Sequence, residues 1–174
     1  MRLLLDTNIL IDYFGRREPF FDACNTLRIA EMFHEVELWA SAKSFTDVFY
    51  VLERYVPADQ LQQAFLKSQD FLHIASVSAE DVYQAAECGW NDFEDCLVYI
   101  AARNIGADCI ITRDKGGFAR SSIPVASSAE FVSWLRDIKH RSFAEVRFGR
   151  EEIEAAKAAA SLLSGDDAEQ CDHA

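Results

Sequence analysis

The chain has 174 residues, half of them hydrophobic and 13 of them Phe, which suits one domain with a full core and excludes disorder throughout. A formal net charge of −12 argues against non-specific nucleic-acid binding over the whole surface. The deficit is uneven, however: Glu151 to Ala174 holds seven acids against one Lys, and so carries half of it.

Arg2-Leu3-Leu4-Leu5 is an apolar run without alternation, as expected of a strand buried on both faces in a parallel sheet covered by helices. Asp6 falls at its carboxyl end, the edge where open parallel sheets bind ligands. A helix follows over Asn8–Gly15, with Thr7 or Asn8 as a cap, and then a loop carrying Arg16 and Arg17. Pro19 is placed to open a second helix to about Phe33. Val36 to Ala40, running into Ser41, reads as the second strand. Ala42 to about Val56 reads as a helix on the spacing of Phe45, Val48, Phe49 and Leu52, closed by Pro57. The next helix, Ala58 to about Leu72, turns Leu61, Phe65, Leu66 and Phe71 inward and leads to a third strand, His73 to Val77.

Ser78-Ala79-Glu80-Asp81 resembles a capped helix start, and Gly89 stops that helix. Trp90 to Asp95 leads into a helix whose apolar stripe is Phe93, Cys96, Leu97, Ile100, Ala101 and Ile105, ending at Gly106. Cys109 to Thr112 is a short buried strand followed by Arg113-Asp114-Lys115-Gly116-Gly117, so an acid again follows a strand. Ile123 to Ala126 suits an edge strand, where Pro124 is tolerated, and Ser127 or Ser128 caps a last helix to about His140. The domain is therefore expected over 1–140. Residues 141–174 form an extension, helix-prone at first and then an acidic tail expected to be disordered.

Charges break every apolar stretch before membrane-spanning length, and no signal core follows the N-terminus, so a cytoplasmic protein without membrane attachment is expected. Five scattered cysteines lack Cys-x-x-Cys spacing and indicate neither a disulfide framework nor structural zinc, and Cys96 and Cys109 read as core residues. His34 and His73 stand alone near element ends and suit surface or capping roles.

Asp6 and Asp114 follow strands, while Asp47 and Asp95 lie in the first turns of helices, positions that can converge on one crevice. Carboxylates brought together repel one another unless a cation joins them. Oxygen-only donors favour Mg²⁺ or Mn²⁺, which can activate water and stabilise charge on a phosphoryl group. Asp92 is expected to be an N-cap, leaving Asp95 where the helix dipole favours its charged form; Glu94 is expected to be a solvated charge. Arg16, Arg17, Arg113, Lys115 and Arg120 are candidate phosphate contacts near the same edge.

Asp6-Thr7-Asn8, Ser41 six residues before Asp47, Asp92-Phe93-Glu94-Asp95, and the run from Gly106 through Thr112 to Asp114 together resemble a PIN domain, the VapC-type toxins most of all. The resemblance implies a three-layer α/β/α fold with a five-stranded, mainly parallel sheet in the order 3-2-1-4-5. It also implies a metal-dependent ribonuclease, the toxin of a toxin–antitoxin pair, with an antitoxin partner and a homodimer among its expected assemblies. By motif, Asp6, Asp95 and Asp114 match the metal-binding acids, and Asn8 and Thr112 the polar residues supporting them. Asp47 stands where the family generally has Glu, which leaves a catalytically weakened RNA- or protein-binding module as the rival reading. A phosphoryl-transfer domain with Asp6 as nucleophile lacks the second acid two residues on. Dinucleotide and P-loop readings lack their glycine motifs.

Overall fold

The computed structural model describes residues 1–139; the expectations for the 141–174 extension lie outside the described residues. Five strands, β1 (Arg2–Leu5), β2 (Glu37–Ser41), β3 (Leu72–Ala75), β4 (Cys109–Ile111) and β5 (Val125–Ala126), form one sheet. Its order is β3-β2-β1-β4-β5 and every pairing is parallel, as the resemblance implied. Among the described residues six helices connect them, α1 (Thr7–Phe14), α2 (Phe21–Met32), α3 (Ala42–Leu52), α4 (Ala58–Ser68), α5 (Ala79–Cys88) and α6 (Phe93–Asn104), and α7 (Ser128–Asp137) follows the last strand.

The unalternating leucines of β1 serve both faces of the sheet. Leu3 and Leu5 pack with Ile9, Leu10, Val48 and Leu52 on one side, and Leu4 packs with Val98, Ala101 and Phe118 on the other. Burying a leucine fully contributes roughly 1.5–3 kcal/mol, so this strand is held by helices on either side before its ladder bonds are counted. Cys96 and Cys109 are buried core residues, as expected.

Helix ends follow local chemistry. Ser78 and Asp81 form a capping box at the start of α5, and Gly89 takes the left-handed conformation at its end, φ 59°. Pro19 does not open α2: it follows a cis peptide bond, and the helix begins at Phe21. Helix α4 ends at Ser68 and not near Leu72, which belongs to β3. Two apolar positions expected to point inward are exposed. Leu66 lies one residue past the Leu61–Phe65 stripe and is 58% exposed. Phe93, in the first turn of α6, precedes the core-facing part of its stripe.

The register of β1 on β4 pairs Leu5 with Ile111, and the Asp6 amide donates to the Ile111 carbonyl at 3.0 Å. Asp6 and Thr112 therefore leave neighbouring strands side by side. These strands flank the point where chain order reverses across the sheet, the crevice where parallel sheets place ligands.

Candidate active site

Asp6 is 4% exposed and caps α1, its Oδ1 accepting from the Thr7 amide at 2.7 Å. Oδ2 accepts from the Thr112 hydroxyl at 2.7 Å and from Asn8 Nδ2 at 2.5 Å. Thr112 Oγ1 in turn accepts from Asn8 Nδ2 at 3.0 Å and from the Asp114 amide at 2.9 Å, while Asn8 Oδ1 accepts from the Arg113 amide at 3.1 Å. Asn8 and Thr112 thus tie Asp6 to the loop that carries Asp114. Burial pushes the Asp6 carboxyl up to about 6; its hydrogen bonds oppose the rise, and Glu94 and Asp114 add to it by repulsion.

Helix α6 supplies the opposite wall. Asp92 caps it as expected, its Oδ1 accepting from the Glu94 amide at 2.8 Å and the Asp95 amide at 3.1 Å. Asp95 follows in the first turn, but the helix dipole does not prevail there. Burial, together with repulsion from Asp6, Asp92, Asp114 and Glu94, pushes its carboxyl up to about 7. Asp114 Oδ1 accepts from the Gly117 amide at 3.2 Å. A β-carbon on Gly117 would collide with Asp95 Oδ2 and lie 3.4 Å from Asp114 Oδ2, so any larger residue here would have to push the Asp95 carboxylate aside.

Glu94 is not a free solvated charge. Its Oε1 accepts from the Thr7 hydroxyl at 3.1 Å and pairs with Lys43 Nζ at 2.7 Å. The same ammonium lies 2.6 Å from Asp47 Oδ2, which places Asp47 in the network through Lys43. Sequence reading missed Lys43, although its four-residue spacing from Asp47 on a helix was available as a signal. It also missed Asp12, fully buried on α1 and 2.8 Å from the Arg113 guanidinium.

The candidate phosphate contacts divide. Arg113 is held by Asp12 and lies over the Phe20 ring at 4.4 Å. Lys115 pairs with Glu130 at 2.8 Å. Arg120 donates to the Gly89 and Cys88 carbonyls at 2.8 and 2.9 Å. Those three side chains fasten loops. Arg16 lies over Phe21 in a left-handed conformation, φ 48°, and Arg17 lowers the Asp12 pKa against the burial that raises it. His34 is exposed in a left-handed turn, φ 57°, and the exposed His73 ring lies 4.8 Å from that of Trp39.

Among the described residues, no three carboxylate, imidazole or thiol groups are drawn together tightly enough to ligate an ion as they stand. Asp114 is nevertheless close enough to raise the pKa of both Asp6 and Asp95, and Asp6 that of Asp95, and like charges keep such groups apart until a cation joins them. An oxygen-only donor set of this kind fits a hard divalent ion.

The family model described as the PIN domain matches residues 2–116. No curated protein matches the chain in sequence. Among solved structures, VapBC-1 from nontypeable Haemophilus influenzae superposes with a TM-score of 0.57 at 15% identity, covering 74% of this chain and 99% of that one. VapBC2 from Rickettsia felis, bound to a promoter DNA fragment, gives 0.56 at 17% identity, covering 73% and 98%. The sarcin-ricin-loop-cleaving toxin VapC20 of Mycobacterium tuberculosis gives 0.55 at 13% identity, covering 67% and 95%. At these identities the likeness is one of fold.

Proposed function

This chain belongs to the PIN-domain family, and we propose that it is a Mg²⁺- or Mn²⁺-dependent ribonuclease, the toxin of a toxin–antitoxin pair. The observation that carries the reading is the gathering of Asp6, Asp95 and Asp114 at the crevice between β1 and β4, where burial first, with repulsion between neighbouring acids added to it, holds the Asp6 and Asp95 carboxyls well above their ordinary range. Retaining such a conflict in a folded protein is understandable when a cation relieves it.

Asp6, Asp95 and Asp114 would hold the ion. Bound there, a divalent ion supplies a lowered water pKa and charge stabilisation at the phosphorus. The chain's own groups do the rest. Asn8 and Thr112 hold Asp6 in one orientation, the Asp92 cap fixes the first turn that presents Asp95, and the Gly117 amide orients Asp114. Arg16 and Arg17 are the bases left for RNA phosphates, the other three being engaged in loop contacts. The toxin role and a cognate antitoxin rest on the VapBC complexes that share the fold, and a homodimer and cytoplasmic location complete the proposal. Among the described residues no helix is long and apolar enough to cross a membrane.

RNA incubated with Mg²⁺ or Mn²⁺ should be cut to 5′-phosphate and 3′-hydroxyl ends, and chelator should abolish the cutting. Asp6→Asn and Asp114→Asn should lose at least about 100-fold in rate while keeping the fold by circular dichroism, a loss on the scale of removing a stabilising group from a reacting site. Cyclic 2′,3′-phosphate ends, or full activity in chelator, would overturn the mechanism. A folded protein that binds RNA and cuts none would leave the weakened binding module.

A further inference from the structure

We propose that the Lys43 ammonium is a built-in cation occupying the place of a second metal ion, so that the centre takes one divalent ion and no more. The inference rests on the metal-dependent reading above and concerns how many ions that centre holds.

Apart from the cap Asp92, the carboxylates of the described residues tied to this crevice fall into two sets. Asp6, Asp95 and Asp114 stand close enough for Asp114 to repel the other two, and among the described residues none of the three is in a salt bridge. Asp47, in the second turn of α3 and not the first as expected, and Glu94, in the first turn of α6, meet at a single Nζ, 2.6 Å from one and 2.7 Å from the other. Two carboxylates from different helices closing on one point is an arrangement that suits a cation, and here the cation is covalently part of the chain. The hydroxyl of Thr7, immediately after Asp6, donates to Glu94 at 3.1 Å and lies 2.9 Å from Ser44 Oγ, whose hydroxyl is free to donate to it. The lysine network is thereby joined to the metal-binding set through buried hydroxyls. Lys43 is itself about three-quarters buried, and the two carboxylates hold its pKa above the ordinary lysine value against the pull of burial. It stays charged throughout the physiological range.

Asp47 is one methylene shorter than Glu, and with Lys43 between it and Glu94 its charge is already matched. A second divalent ion would have to displace a tethered ammonium that cannot diffuse away. Lys43 is therefore a positioning residue: it keeps Asp47 and Glu94 in place and excludes the second ion.

Mn²⁺ titration of the full chain, followed by calorimetry and by electron paramagnetic resonance, counts the ions directly. The wild type should bind one Mn²⁺ per chain. Lys43→Met should bind two, the second more weakly, with a spin–spin signature of neighbouring ions, while Lys43→Arg should return the count to one. Two ions on the wild type, or a single ion on a folded Lys43→Met protein, would overturn the proposal and leave the metal-dependent reading standing. No Mn²⁺ on the wild type would overturn both. Should Lys43→Met fail to fold, the test passes to Lys43→Gln, which keeps a hydrogen-bond donor between Asp47 and Glu94 without the charge and should likewise bind a second, weaker ion; a single ion on the folded Lys43→Gln protein would overturn the proposal.

Discussion

Asp95 titrates at about 7 and Asp6 at about 6, burial leading in both, against 3.8 for an ordinary aspartate. Between pH about 4 and about 7 the folded chain therefore holds protons that the unfolded chain has released, and stability falls as pH rises through that window. The contribution is complete below the unfolded pKa and gone above the folded one. Without metal, the melting temperature should be lower at pH 7.5 than at pH 5. Asp95→Asn should flatten that dependence and raise the melting temperature at pH 7.5 by about 2–4 °C, the shift expected for roughly 1 kcal/mol in a chain of this size. An undiminished fall in the Asp95→Asn protein would remove this residue from the cause. The acids themselves were legible in the sequence because each follows a strand or opens a helix. The pairing of Lys43 with Asp47 was legible too, from their spacing, but its meeting with Glu94 was not, because helical periodicity gives the face a residue occupies on its own helix and says nothing of which other helix ends beside it.

The loop from Arg113 to Gly117 is an element fastened at several points. Asp12 holds the Arg113 guanidinium, Glu130 at the α7 capping box holds Lys115, and the Asp114 and Gly117 amides bond inward. The contacts differ in worth. Lys115 and Glu130 are both more than half exposed, and such a pair contributes at most about 1 kcal/mol. Asp12 is fully buried, so removing either partner leaves a charge without its counterpart. Asp12→Ala should cost about 2 kcal/mol in urea unfolding, below the usual range for buried pairs because Arg113 keeps 36% exposure. The Asp12→Ala/Arg113→Ala protein should lose clearly less than the sum of the single changes. Strict additivity would show that the two side chains act independently. Strands β1 and β4 were readable from their apolar runs, since few other structures bury three successive hydrophobic residues in so short a space. The start of α2 was not, because a proline signals a constrained φ and leaves the bond before it undetermined.

Over the whole molecule, an acidic chain has to meet a polyanionic substrate at an acidic crevice. The strands of the described domain were legible from their apolar runs and the acids that end them, and their order only from the PIN-domain resemblance, since burial does not say which strands are neighbours; residues beyond 139 were read from composition and helix propensity alone. That composition has a consequence for RNA. Glu151 to Ala174 contributes seven of the 29 acids and one of the 17 Lys and Arg residues, and so half of the net −12. Charge of one sign on a tethered segment lowers the local concentration of a like-charged ligand, an effect carried by association and screened by salt. Ending the chain at Arg150 should therefore leave kcat and the melting temperature unchanged and lower KM for RNA by about two- to threefold at low ionic strength. The difference should vanish near 0.5 M salt, where the screening length falls to about 4 Å. A truncated protein that melts far below the wild type would make the extension part of the folded core. A KM difference that survives high salt would mean that the extension acts by contact and not by charge.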